Sequence, residues 1–416
     1  MKYFFVLGSN PTVSIAEILA VLGDNKPKIA EISPQILIID SPDEIDTPHL
    51  MTRLGGVIKV GELDEIPRPL NEQVLAKYMA DELIQNATEG KIKFGYSIYG
   101  LAADGKETTL AEKAFKRLRK AGMETKRFLK EAGHSARWVQ AQTDTALSSV
   151  VVEKNNLLEA GLECCVFIAG QEMLLGRTTA VQPFELFSQV DYGRPERDTY
   201  RGMLPPKLAR IMLNIAGVQD DAVVWDPFCG SGTVVTEALR LGVKNVFGSD
   251  LSAAAVADSK QNIDWMKEKN LIEHAFTANI FEHDARQTTD TIKPGSLNAI
   301  VSEPFLGKPQ RGGESQTELT RRLAELTDLY RAALNNWRPL LKEGATIVLA
   351  LPLYIVDGKR IGIDVADIAG ANYEIEQLFA PELAARLGEN ENNGHSATYG
   401  RKDQRVWREI VRLKVS

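Results

Sequence analysis

The chain of 416 residues has room for two or three domains, and its 44% hydrophobic and 25% charged residues are ordinary for a soluble globular protein. A net charge of −7 argues against a uniformly basic nucleic-acid coat, although local basic faces remain open to it. Three cysteines, with Cys164 and Cys165 adjacent and Cys229 apart, suit neither a zinc site nor a disulfide framework, so no metal is expected and a reducing cytoplasm is the natural compartment.

The N-terminal run Tyr3-Phe4-Phe5-Val6-Leu7 is too short for a signal peptide or a membrane span and reads as a first strand. A helix over 14–22 follows, with Pro11 and Ser14 near its start, then a strand over 35–39, a helix, and a strand over 57–62. Residues 1–65 are thus expected to form a small ferredoxin-like α+β domain. Residues 66–182 read as a second unit. It has a strand over 93–98, helices over 109–121 and 126–132, strands over 137–139 and 148–152, and further strands over 163–168 and 174–181. Ten Lys/Arg face five Asp/Glu between 101 and 140, a local basic excess in an acidic chain. Residues 183–200, with Pro183, Gly193 and Pro195 among mixed charges, read as a linker.

From 201 onward the pattern alternates. A helix over 205–216 precedes strand 222–225, helix 234–241, strand 246–249, helix 253–269, strands 275–280 and 299–302, helix 317–341 and strand 346–351. Such alternation predicts an α/β, Rossmann-like domain over 201–416, a mostly parallel sheet with helices on both faces. The tail, 405–415, reads as a last antiparallel strand.

The most informative stretch is Val223-Val-Trp-Asp226-Pro-Phe228-Cys229-Gly230-Ser-Gly232-Thr233. An apolar run ends in an acid, and a glycine turn opens a helix. Glycines let a ligand approach the backbone, and the helix dipole favours an anion there. A dinucleotide-binding loop is the competing reading, but Val235 stands where its third glycine belongs. Asp250, followed by Leu251, ends the next apolar run about twenty residues on, where a Rossmann-like unit places a ribose-binding acid. Asp284-Ala285 and the turn Ser302-Glu303-Pro304-Phe305 follow in order.

This order and spacing resemble the S-adenosylmethionine (SAM) methyltransferases that act on exocyclic amino groups of nucleobases. The resemblance implies a seven-stranded sheet. It gives Asp226, Phe228, Gly230, Gly232 and Thr233 to the amino acid end of SAM, Asp250 and Leu251 to the ribose side, and Asp284 and Ala285 to the adenine. It makes Ser302, Glu303, Pro304 and Phe305 the catalytic turn. An exocyclic amine is a poor nucleophile because its lone pair is delocalised. Two acceptors that hold both N–H bonds aim the lone pair at the methyl group, which is catalysis by positioning. Ser302 and the Glu303 carbonyl would accept, Pro304 would stiffen the turn, and Phe305 would stack on the base.

The likeness extends along nearly the whole chain. The N-terminal segment from Lys2, Phe94-Gly-Tyr-Ser-Ile-Tyr-Gly100, Arg137-Trp-Val139, Asp191-Tyr-Gly-Arg-Pro195 and Met203-Leu-Pro-Pro-Lys-Leu-Ala-Arg210 are similar to segments of the THUMP-domain tRNA guanosine-10 N2-methyltransferases. The family implies SAM as cofactor, tRNA as partner, a cytoplasmic setting without a membrane, and in some relatives a small activator subunit. It makes 66–182 a THUMP-like RNA-binding domain, with Lys113, Lys116, Arg117, Lys120, Lys126, Arg127 and Arg137 as phosphate-facing candidates. One departure stands out: the family's turn is Asp-Pro-Pro-Tyr-like, whereas Glu303 replaces its first proline here. The alternatives are a non-catalytic tRNA-binding protein, or an amino-group methyltransferase acting on another RNA or DNA base. Cys229 reads as a packing residue. The segment 306–314, rich in Gly and Lys/Arg, reads as a loop beside the substrate, and 389–402 as a hairpin connection.

Overall fold

Runs such as Tyr3-Phe-Phe-Val-Leu7 and Val246-Phe-Gly-Ser249 bury both faces and so form interior strands. The computed structural model describes residues 1–23, 27–86, 90–102, 106–141, 144–197, 203–308, 310, 314–356, 358–387, 394–401 and 404–416. They form two compact units, Met1–Pro11 with Leu22–Phe184, and Thr12–Val21 with Glu185–Ser416.

Up to residue 181 the elements are β1 (Lys2–Leu7), α1 (Pro11–Val21), β2 (Lys28–Ile32), β3 (Ile36–Asp40), α2 (Thr47–Arg53), β4 (Val57–Leu63), β5 (Arg68–Pro69), α3 (Glu72–Gln85), β6 (Ile92–Gly100), α4 (Glu107–Arg117), α5 (Ala121–Glu131), β7 (Ala136–Trp138), α6 (Ser149–Lys154), β8 (Gly161–Ala169) and β9 (Glu172–Val181). The strands of the first unit share one sheet, in the order β2-β3-β1-β4-β9-β8-β6-β7, with β5 beside β9. Segments 1–65 and 66–182 both contribute to it. Inside, Lys59 forms an ion pair with Glu163 at no more than 1% exposure of either side chain. The pair is fully satisfied: Lys59 Nζ also donates to the Leu147 carbonyl at 2.6 Å, and Glu163 accepts from Ser97 at 2.5 Å and Thr178 at 2.7 Å. Removing one partner from such a pair typically costs about 3–5 kcal/mol.

Two expectations change here. The stretch 148–152 is not a strand. Ser148 accepts a hydrogen bond from Val151 N and caps α6, so hydroxyl capping overrides the β preference of three valines. Residues 28–32, not anticipated as a strand, pair with β3.

The second unit continues with α7 (Phe184–Tyr192), which falls inside the stretch read as a linker, and α8 (Pro206–Ile215). Next come β10 (Val223–Asp226), α9 (Thr233–Arg240), β11 (Asn245–Asp250), α10 (Ala253–Glu268), β12 (Thr277–Glu282), β13 (Leu297–Ser302), α11 (Gln316–Trp337) and β14 (Leu341–Val356). The last elements are β15 (Lys359–Ile361), α12 (Val365–Ala369), β16 (Tyr373–Glu376), α13 (Pro381–Leu387), β17 (Ser396–Tyr399) and β18 (Val406–Val415). The sheet order is β12-β11-β10-β13-β14-β18-β16, with β15 beside β14 and β17 beside β18.

The expected seven-stranded, mostly parallel sheet is thereby corrected to a mixed sheet of nine strands. The pairs β10–β11, β11–β12, β10–β13 and β13–β14 are parallel, whereas every pairing of β15, β16, β17 and β18 is antiparallel. Short connections return β15 onto β14 and β18 onto β17, whereas the parallel part needs helical crossovers. Trp225 and Trp337 meet edge to face at 5.9 Å in the core between the sheet and α11. Their indole N–H groups are satisfied by Ser249 Oγ and the Ala285 carbonyl. Truncating either to alanine is worth about 3–5 kcal/mol.

Candidate active site

Strand order fixes where a ligand can enter. The chain steps from β10 outward to β11 and β12, then returns to the other side of β10 with β13. Ligands of open α/β sheets bind at such a reversal, beyond the carboxyl ends of the strands. Asp284, Asp250, Asp226 and Ser302 lie at or just beyond the ends of β12, β11, β10 and β13, in that order across the sheet. Adjacent strands lie about 4.8 Å apart, so the four residues span roughly 15 Å.

The glycine loop is built to bring backbone close to a ligand. Gly230 and Gly232 have φ of +52° and +85°, which side chains rarely adopt. Asp250 holds the loop: one carboxylate oxygen accepts from Gly230 N at 3.0 Å, the other from Ser252 N at 2.9 Å. Asn262 on α10 donates to the Ser231 carbonyl at 2.8 Å. Thr233 opens α9, and the Cys229 side chain is buried, with burial pushing its thiol up and away from reactivity.

Asp226 and Ser302 form a buried pair. Ser302 Oγ donates to Asp226 Oδ1 at 2.6 Å, and Phe228 N donates to the same oxygen at 3.1 Å. Ser302 has no exposed surface. Burial pushes the Asp226 carboxyl up to about 7; Ser302 and Phe228 N pull it down, and Asp250 and Glu303 push it further up. A folded value above the ordinary 3.8 contributes stability that is complete below the unfolded value and is lost as pH rises through the folded one. Each pH unit in that window is worth about 1.4 kcal/mol. Asp226→Asn should therefore gain a few kcal/mol relative to the parent protein between about pH 4 and pH 8, read from urea unfolding at each pH. A difference that stays flat across the window would refute the raised value.

The other expected residues are placed as follows. Asp284 is clasped by its neighbour Arg286, whose Nε and Nη2 reach the two carboxylate oxygens at 3.0 and 2.7 Å, and this holds the carboxyl below its usual range. Ala285 is buried, and Leu251 is 67% exposed beside Asp250. Phe228 is half-buried and meets Trp337 edge-on. Pro304 is buried, and Phe305 is 55% exposed. Tyr330 Oη donates to the Phe305 carbonyl at 2.7 Å and pins the turn from α11. In the following loop, residues 309 and 311–313 lie outside the described residues; so do 389–393 and 402 of the hairpin connection. In the first unit, Lys113, Lys116, Arg117, Lys120, Arg127 and Arg137 are exposed and Lys126 is half-buried, on α4, α5 and β7. Arg127 is held between Glu124 and Glu131.

Two residues went unanticipated. Arg408 on β18 forms an ion pair with Glu303, the residue that replaces the expected proline. Arg194, just after α7, lies against the glycine loop, where its Nη1 donates to Thr233 Oγ1 at 2.8 Å. Arg194 was visible only as part of a linker and of a family-like segment with no role attached, and no local pattern ties residue 408 to residue 303.

Residues 194–353 match the model of the UPF0020 family, described as RMKL-like, methyltransferase domain. That match lies within the second unit. The chain is similar to the tRNA (guanine(10)-N2)-dimethyltransferase of Methanothermobacter thermautotrophicus, 30% identical over 191 residues, which is 45% of this chain and 50% of that protein. The enzyme of the same name from Methanocaldococcus jannaschii is 27% identical over 157 residues, 37% of this chain and 43% of that protein. The chain thus spans about half the length, or less, of the curated relatives it matches. The crystal structure of TrmN from Thermus thermophilus shares the fold over 100% of both chains, at 14% identity and a TM-score of 0.53.

Proposed function

We propose that the chain is a SAM-dependent tRNA methyltransferase that acts on the exocyclic N2 of a guanosine, at the position equivalent to 10. The supporting observation is the convergence, at one crevice, of an acid-and-glycine loop with a Ser-Glu-Pro-Phe turn, in a domain whose relatives carry that name. The donors fit the cofactor. Asp226 suits an ammonium, the φ-positive loop admits a ligand against the backbone, and Leu251 offers an exposed apolar surface beside Asp250. SAM, when bound, supplies an electrophilic methyl group.

The rest is the work of this chain. Ser302 gives its only proton to Asp226, so both of its lone pairs are left to accept from the target amine. The Glu303 carboxylate is taken up by Arg408, which leaves the Glu303 backbone carbonyl as the second acceptor. The amine sheds one proton on methylation. Ser302 can take it while passing its own proton to Asp226, to which its hydroxyl already donates. Phe305 presents a ring for stacking, and entry of a flipped base has to uncover Ser302. The first unit is read as the THUMP-like tRNA grip, its exposed Lys and Arg bearing on phosphate, and the setting as cytoplasmic.

The test is methyl transfer to unmodified tRNA followed by nucleoside mass spectrometry. N2-methylated or N2,N2-dimethylated guanosine is expected, and Ser302→Ala should lower turnover about 100-fold while SAM affinity stays unchanged. Methylation at another base, or full activity in Ser302→Ala, would overturn the assignment.

A further inference from the structure

Among the described residues of the second unit, Arg194 and Arg210 are buried to the same 3% exposure and Arg408 to 8%. Arg210 meets Glu237 at 2.9 Å, and Arg408 meets Glu303. Among the described residues, Arg194 meets no carboxylate within ion-pair distance. Its Nη1 donates to Thr233 Oγ1, its Nη2 reaches only the Met203 sulfur at 3.7 Å, and its Nε is buried without a hydrogen-bond partner. Asp191 and Glu237 act on it only from further away, Arg197 opposes them, and burial holds its guanidinium below the usual arginine range.

A guanidinium taken out of water without a counter-charge costs several kcal/mol, so such a group persists where a ligand completes it. The position names the ligand. Thr233 is the first residue of α9, where unpaired backbone N–H groups and the helix dipole already favour an anion. The segment bearing Arg194 is fastened to the loop through Asn262. Its Nδ2 donates to both the Ser231 and the Glu196 carbonyls, and its Oδ1 accepts from Glu196 N. The acid of the same loop, Asp226, holds Phe228 N and Ser302 Oγ on one oxygen and is the residue assigned above to the cofactor's ammonium.

We infer that Arg194 binds the carboxylate of the cofactor's amino acid end, opposite the ammonium held by Asp226. This rests on the SAM reading above, not on the identity of the methylated base.

The test compares two ligands, S-adenosylhomocysteine and 5′-methylthioadenosine, which share the nucleoside but only the first of which has a carboxylate. Calorimetric titration of the full chain should show Arg194→Met weakening S-adenosylhomocysteine about 30-fold and 5′-methylthioadenosine by no more than about twofold. Arg194→Lys, which keeps the charge and loses the fork, should fall between the parent and Arg194→Met. Ligand-free Arg194→Met should melt no lower than the parent, because the buried charge it removes has no counter-charge among the described residues and its one bond to Thr233 is small beside that cost. Equal weakening of both ligands in both variants would show a structural role and overturn the inference. Unchanged binding of S-adenosylhomocysteine would overturn it as well. A parent protein that binds neither ligand would overturn the inference and the SAM reading together. Binding as expected without methylation of tRNA would support the inference and count only against the tRNA substrate.

Discussion

Replacing Gly232 with alanine is expected to weaken binding of SAM or its demethylated product about 100-fold, or roughly 2.7 kcal/mol. Two costs combine. Gly232 has φ of +85°, a conformation worth about 1–2 kcal/mol against any side chain. A Cβ there would also lie 2.3 Å from Ser259 Oγ and 3.1 Å from Ser259 Cβ, on α10. The loop cannot simply drift aside, because Gly232 N donates to the Cys229 carbonyl at 2.7 Å and Gly230 N is held by Asp250. Whatever shifts therefore displaces the loop relative to the acids that frame it. Gly230→Ala is the internal comparison. Its φ of +52° carries the conformational cost, but a Cβ there meets nothing within 4 Å, so a loss of about tenfold is expected. Adding Ser259→Ala to Gly232→Ala should recover the part due to the clash and leave the part due to φ. Equal losses at the two glycines would mean that close packing on α10 plays no part in shaping the loop.

The second unit was legible because its signals are local. An apolar run that ends in an acid, a glycine pair and a helix start all fall between residues 223 and 241, and β10 and α9 form there. Asp250 was placed by spacing alone, and its carboxylate does reach the loop, although through the backbone of Gly230. What stayed hidden depends on distant residues. The returns that turn the sheet from parallel to mixed are set by pairing across β18. The valine run 149–152 looks like a strand until Ser148 is seen to cap it. Arg194 reads as a linker residue until its segment is seen to fold back onto the loop. Glu303 stood out in sequence only as the residue in place of a proline, and its partner lies 105 residues further on.

That partner gives the second large effect. Arg408→Met should lower methyl transfer about 100-fold, with SAM affinity changed by no more than about twofold. The turn that this segment resembles has a proline in that place, which would fix the backbone beside the base. Glutamate cannot do so by its own covalent geometry. Here the Glu303 side chain, 13% exposed, is held by the Arg408 guanidinium, 10% exposed. Arg408 is in turn fixed on β18 between Pro352 of β14 and Tyr399 of β17. Without Arg408 the carboxylate is left unpaired at the rim of the site. It is then free to take up the amine that Ser302 and the Glu303 carbonyl should hold, and the turn loses its tether. Glu303→Pro combined with Arg408→Met removes the stranded charge and restores the fixed φ, so the double variant should regain most of the lost turnover. Glu303→Pro alone leaves the guanidinium unpaired and should fall between them. Hydrogen exchange over 303–308 supplies a readout independent of turnover, faster in Arg408→Met and slow again in the double variant. A double variant as slow in catalysis as Arg408→Met would mean that Arg408 acts on something other than the turn. A loss that appeared equally in SAM affinity would place its effect on the cofactor side of the crevice.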